Sequence, residues 1–297
     1  MTEIDPDDVL ARAAGGQPLT TSEHASLFDV RDLLGLGMAA DAVRRRRHGG
    51  RMTFVRVAEV PFASMPLDET GWALAGEVRI TGTPDDWRAA AAFVREVAGR
   101  LAGRVPLSGF SLADLAGDAP DEEVTARARL LSEAGLDLLA DAPIDRLRTP
   151  DASLAAVGRG GLAVLRLTVD HAPADARAAL VDRAAALVRQ HPALRAFAPL
   201  PRRLDGPAPT TGFEDVRLVA LARLIVPIEH VQVDWRLYGP KLAQVGLAFG
   251  ADDVDGVSPL DESGEGRRRA PLEEIRRNIR AASGEPAERD ARFAVRS

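Results

Sequence analysis

A parallel (β/α) barrel with a helical extension at its N-terminus is the α/β architecture that this sequence predicts. Three observations carry that prediction. Short apolar or β-branched runs alternate with longer stretches of helical periodicity from residue 52 onward, which implies right-handed βαβ crossovers and a parallel sheet. There are about eight such runs, the number that closes a barrel. The composition, 46% hydrophobic and 28% charged over 297 residues, is that of a globular chain able to enclose one large core.

Helical spacing opens the chain at Pro6 to Ala14 and returns at Ser22 to Arg47, with Gly35 and Gly37 inside the second pattern. Residues 1–51 are therefore read as the extension and 52–297 as the barrel. An extended run, Met52 to Val60, begins the barrel. Strand Glu77 to Thr81, helix Pro84 to Leu101, strand Val105 to Phe110 and helix Glu122 to Ala134 follow, with Gly135 placed to end that last helix in the left-handed region. Strands at Leu136 to Leu139 and Leu162 to Val169 come next, then helix Pro173 to Arg189 and strand Leu194 to Ala198. The Pro-rich stretch Pro199 to Pro209 reads as a long loop on the face where barrels bind ligands. Thr211-Gly212 precedes helix Phe213 to Ile225. The chain closes with strand His230 to Trp235, helix Pro240 to Phe249, strand Asp253 to Val257 and helix Pro271 to Ala282.

The formal net charge of −6 argues against a general nucleic-acid binder, because phosphate neutralisation wants a basic surface. The one basic run, Arg44 to Arg47 with His48, suits the C-terminal end of a helix dipole, with Gly49 and Gly50 as its stop. No apolar run approaches the ~18 residues of a membrane helix. The acidic opening MTEIDPDDV is unlike a secretory signal, so a cytoplasmic location without a membrane partner is expected. With no cysteine in the sequence, disulfides and thiolate metal sites are excluded.

Candidate site residues gather late in the chain. Lys241 is the only lysine beside 37 arginines, and the only tyrosine, Tyr238, and one of three tryptophans, Trp235, lie close before it. They sit at a strand end followed by Gly239-Pro240 and a helix, where a barrel presents ligand-binding side chains. A structural reading accounts for them as well: Lys241 packs its stem and bridges to Asp252 or Asp253, and Trp235 belongs to the core. The stretch ADDVDGVSPLDE matches a calcium loop at Asp253, Asp255, Gly256 and Glu262 but has Ala251 where the first carboxylate belongs. No metal site is expected there. The five histidines show no metal spacing. His171 follows the strand ending at Val169, so it is the candidate general acid or base. No nucleophile elbow, P-loop or dinucleotide fingerprint occurs.

The segment VQVDWRLYGPKLAQVGLAFGADDVDG, residues 231 to 256, resembles the C-terminal part of the radical S-adenosylmethionine (radical SAM) enzymes of the futalosine route to menaquinone, aminofutalosine synthase and dehypoxanthine futalosine cyclase. Deazaflavin-cofactor synthases are similar. The likeness covers Ser22 to Arg56, weakens through the middle, and is strong from Phe213 to Phe293, including PAERDARF. It implies a radical-SAM-type (β/α) TIM barrel, degenerate or incomplete in its first half, with Asp252, Asp253 and Asp255 near the ligand mouth. It also implies a [4Fe-4S] cluster on three thiolates, spaced C-x3-C-x2-C, in the loop after the first strand. Here that loop reads PFASMP and no thiol is available, so no such cluster is expected. The stretch Ile80 to Thr83 matches the family's S-adenosylmethionine glycines only loosely, and that site is not carried over. The expected protein is a pseudoenzyme that binds a nucleoside-like small molecule or serves as a partner subunit. A cluster-independent enzyme using His171 with mouth carboxylates, and an assembly partner of a cluster-bearing homologue, are the alternatives.

Overall fold

The computed structural model of the protein describes residues 5–203, 211–260 and 271–296. Glu262 and residues 204–210 of the Pro-rich loop lie outside them. Helix α1 (Pro6–Ala14) starts at Asp5, whose side chain accepts from the Asp7 backbone at 3.0 Å, with Pro6 supplying a preset φ. A reciprocal capping box between Thr20 and Glu23 starts α2 (Thr21–Asp29). Helix α3 (Leu33–His48) begins separately, because Val30 is extended and Asp32 caps the amide of Gly35. The single helix expected over 22–47 is thus two. Gly37 lets α3 approach Phe249 closely: a Cβ there would sit 2.6 Å from the ring. Arg44 is buried and paired with Asp41, and Gly49 ends the helix at φ +62, as the dipole reading of the basic run expects.

The barrel strands are β1 (Arg51–Pro61), β2 (Glu77–Thr81), β3 (Leu107–Ser111), β4 (Leu138–Pro143), the pair β5 (Ala163–Val164) and β6 (Arg166–Val169), β7 (Ala196–Pro201), β8 (His230–Asp234) and β9 (Asp253–Val257). All neighbours pair in parallel, and β9 returns to β1, which closes the barrel. Around them run α4 (Trp87–Leu101), α5 (Leu112–Ala116), α6 (Asp121–Glu133), α7 (Pro150–Arg159), α8 (Arg177–Gln190), α9 (Gly212–Ile225), α10 (Trp235–Ala248) and α11 (Pro271–Ala281). Their apolar stripes, such as Ala90, Val94 and Val97 of α4, are buried, each large side chain contributing about 1.5–3 kcal/mol by burial. Among the described residues no helix is long and apolar enough to cross a membrane.

Three local departures from the sequence reading matter. Helix α7 fills the connection between the strands expected at Leu136 to Leu139 and Leu162 to Val169. Trp235 opens α10 rather than ending β8, because Asp234 accepts from the amides of Arg236 and Leu237 and caps the helix there. A short strand β10 (Glu285–Glu288) adds in parallel to Arg51–Phe54 of β1. Beyond it the chain crosses the N-terminal ends of the strands, here termed the floor. Arg289 donates its amide to Phe54, and Ala291 donates to Gly76. Only glycine fits at 76, since a Cβ would lie 2.4 Å from the Arg289 carbonyl.

Candidate functional site

Charged residues, rather than the usual branched aliphatics, fill much of the barrel interior. Arg79 of β2 bridges Glu77 and Asp255, donating to both carboxylates at 2.7–2.9 Å. Arg166 of β6 also binds Asp255, and reaches Gln232 at 3.3 Å and the Ala140 carbonyl at 2.9 Å. All of these side chains are buried. Burial alone would raise the Asp255 carboxyl, but the guanidiniums of Arg166 and Arg79 hold it well below the usual carboxylate range. Two interior cavities measure about 10 and 20 Å³, room for roughly one water each.

The floor is similarly paired. Asp253 receives Arg289 at 2.6 and 2.7 Å, Gln232 at 2.7 Å and the Thr53 hydroxyl at 2.5 Å. Arg289 stacks on the ring of Phe293 at 3.9 Å, and that ring stacks on His230. Asp252 is bound by Arg223, by His230 Nδ1 at 2.5 Å and by the Val231 amide at 2.9 Å. Burial opposes its charge, yet Arg223 and His230 hold the carboxyl down at about 2. His48, His230 and Asp252 offer ligand atoms within 4.8 Å of one another, the spacing of a metal centre. The donor set does not suit a cation: Arg223 occupies one Asp252 oxygen, His230 the other, and His48 faces a backbone carbonyl at 2.8 Å.

The strand C-terminal ends, the mouth, are different. A groove of about 180 Å³ is lined by Thr81, Gly82, Thr83, Ser111, Asp114, Asp141, Arg146, Asp170 and Arg202, among others. Arg146 joins Asp114 at 2.7 Å and Asp170 at 3.3 Å. Burial first, then the nearby Asp145 charge, raise the Asp170 carboxyl. Arg202 covers Asp141 and binds its Oδ2, while Asp141 Oδ1 is buried with no hydrogen-bond partner. Thr168 Oγ1, in the interior cavity that Arg202 also lines, is buried without a partner too.

The candidates from the sequence are dispersed over this frame. Tyr238 and Asp255 share the small inner cavity beneath the mouth, with the tyrosine hydroxyl donating to the Pro201 carbonyl at 2.6 Å. Burial raises that phenol. Trp235 is buried in the core and borders a separate cleft that Arg236, Gly256 and the kinked Gly239-Pro240 also line. Lys241 is exposed and has no ion pair to a described residue. Asp253 and Asp255 face inward to arginines, and Asp252 lies at the floor instead of the mouth. His171 is half exposed, its Nδ1 3.9 Å from Asp145, which instead accepts the Asp170 and His171 amides at 2.8 Å. Asp141, Arg202 and Arg146 escaped the sequence reading, since nothing in their local pattern marks them.

The loop after β1 bears on the expected cofactor. Phe62 turns back against Phe93 and Phe110, edge to face at 5.5 and 6.0 Å, and Phe110 meets Trp87 at 5.6 Å. An aromatic cluster without a thiolate does not fit an iron-sulfur cluster. No protein-family model matches the chain. Cyclic dehypoxanthine futalosine synthase of Streptomyces coelicolor is 25% identical over 97% of this chain and 88% of its own length. The chain is a homologue of that enzyme. A 5-amino-6-(D-ribitylamino)uracil–L-tyrosine 4-hydroxyphenyl transferase of Methanococcus aeolicus is 33% identical, over 29% of this chain and 26% of its own length. Methylornithine synthase superposes with a TM-score of 0.66 at 17% identity, covering 94% of this chain and 97% of that structure. The hydrogenase maturase HydG of Carboxydothermus hydrogenoformans gives 0.68 at 11%, covering 97% and 80%. The fold is thus the radical-SAM-type barrel, and this chain carries it without a cysteine.

Proposed function

We propose that this chain is a radical-SAM-like barrel that has left cluster chemistry and binds a small, nucleoside-like molecule at its mouth. The observation that carries this reading is the exchange at the β1 loop, where residues 61–66 contain no thiol and Phe62 packs into an aromatic cluster. The mouth groove remains, with partly exposed Arg146 and Arg202 and the partnerless oxygen of Asp141, as a place for a ligand. Nucleosides are the favoured class because the full-length relative is a futalosine-pathway enzyme.

Two measurements test it. Anaerobic reconstitution with iron and sulfide is expected to give no stoichiometric [4Fe-4S] signal and no reductive cleavage of S-adenosylmethionine. A thermal-shift screen with futalosine-pathway compounds, S-adenosylmethionine and simple nucleosides is expected to raise the melting temperature with one of them. A full cluster signal, or no stabilisation by any of these compounds, overturns the reading. A partner-subunit role has its own support: Leu34 and Met38, one turn apart on α3, are 72% and 75% exposed. Co-purification with a cluster-bearing homologue, lost in a Leu34→Ser/Met38→Ser double variant, would favour it.

A further inference from the structure

Resting on the mouth as the ligand site, we infer that its ligand presents a cationic hydrogen-bond donor, a protonated amine or an amidine-type group, to the carboxylate of Asp141. Asp141 is only 4% exposed, and one of its oxygens has no partner. A buried carboxylate oxygen without a donor costs free energy that a ligand donor recovers. The charges around it point to the sign of that donor. Arg79 is taken up by Glu77 and Asp255, so the groove sets Asp114, Asp141 and Asp170 against Arg146 and Arg202. One negative charge is left over. Asp145 and Arg203 at the rim add one charge of each sign, and Asp234 beneath adds another carboxyl.

Arg202 supplies the access. Its side chain is 34% exposed, against 6% for Asp141, and it lines both the groove and the inner cavity that holds Thr168. The guanidinium stands where the ligand cation would go. Its swing into solvent uncovers Asp141 and joins the two spaces, so that Thr168 Oγ1 becomes available as a second polar contact. A cationic ligand therefore competes with an internal arginine for one carboxylate.

The test is calorimetric titration of the full chain with 5′-amino-5′-deoxyadenosine, adenosine and butylguanidine, for the wild type, Asp141→Asn and Arg202→Ala. The aminonucleoside is expected to bind at least tenfold more tightly than adenosine, and the preference to vanish in Asp141→Asn. Arg202→Ala keeps the carboxylate and removes its competitor, so it is expected to bind the amine more tightly than the wild type. Equal binding of the two nucleosides, or a preference that survives Asp141→Asn, overturns the cation and leaves the nucleoside site standing. Binding of butylguanidine without adenosine supports the cation and removes the nucleoside. No binding of any probe to Arg202→Ala overturns both.

Discussion

The floor and the mouth of this barrel are built from the same residue types, arginine and aspartate, and use them in opposite ways. At the floor and in the interior each buried carboxylate is matched: Asp252 by Arg223 and His230, Asp253 by Arg289 and Gln232, Asp255 by Arg79 and Arg166. At the mouth the arginines are shared or partly exposed, and Asp141 keeps a free oxygen. A satisfied network holds a structure in place, whereas an incompletely satisfied one is where a ligand can still add a bond. The strong sequence likeness, Phe213 to Phe293, maps mainly onto the satisfied half. It therefore speaks for the barrel more than for any reaction.

The sharpest way to break this contrast is to remove a floor charge. Asp253→Ala strands Arg289 and is expected to cost about 3–5 kcal/mol in denaturant unfolding, because a buried charge is left without its partner. A loss below about 1 kcal/mol would show the network to be wet and loose. Acid should act in the same direction at a smaller scale. The Asp252 carboxyl is depressed to about 2, so its contribution is present above the unfolded value near 4 and is lost as pH falls toward 2, roughly 2–3 kcal/mol in all. Burial also lowers His48, which must then charge on unfolding, so stability begins to fall already below about pH 6.5. Asp252→Asn should flatten the lower part of that acid profile, and an unchanged profile would locate acid sensitivity elsewhere.

Phe62→Ala tests the β1 loop. Losing two edge-to-face contacts from a half-buried ring is expected to cost about 1–3 kcal/mol, without creating any affinity for iron and sulfide. The smallest effect belongs to the mouth: Asp141→Asn should change stability by less than about 1 kcal/mol, since it removes a charge that is only half partnered. A cost as large as that at the floor would mean that the Asp141–Arg202 pair is structural.

Much of the architecture was legible because strand and helix periods differ and the barrel needs both in alternation. Strands β2, β8 and β9 and helices α1, α9 and α11 fall within a residue or two of their expected limits. Helix α7 was missed because PDASLAAVGR, with its glycine and short side chains, carries little periodic signal, and β10 because EPAE has no strand pattern and forms only against β1. The destination of the aspartates was not legible at all. Alternation tells that Asp253 and Asp255 share a face, while the arginines that claim them stand far away in sequence, Arg79 being 176 residues from Asp255. A carboxylate pattern that reads as a ligand site is, in the folded chain, the counter-charge of remote guanidiniums.

The late strap that crosses the floor has a kinetic meaning. Strand β10 pairs with residues 51–54, and among the described residues Arg289 is the only arginine on Asp253, so the first strand of the barrel waits for residues 285–289. Contacts of such long sequence separation close slowly. During synthesis the nascent barrel must carry an open floor and an uncompensated aspartate until residue 289 has left the ribosome, which makes that interval the time when a protease or chaperone has its best hold on the chain.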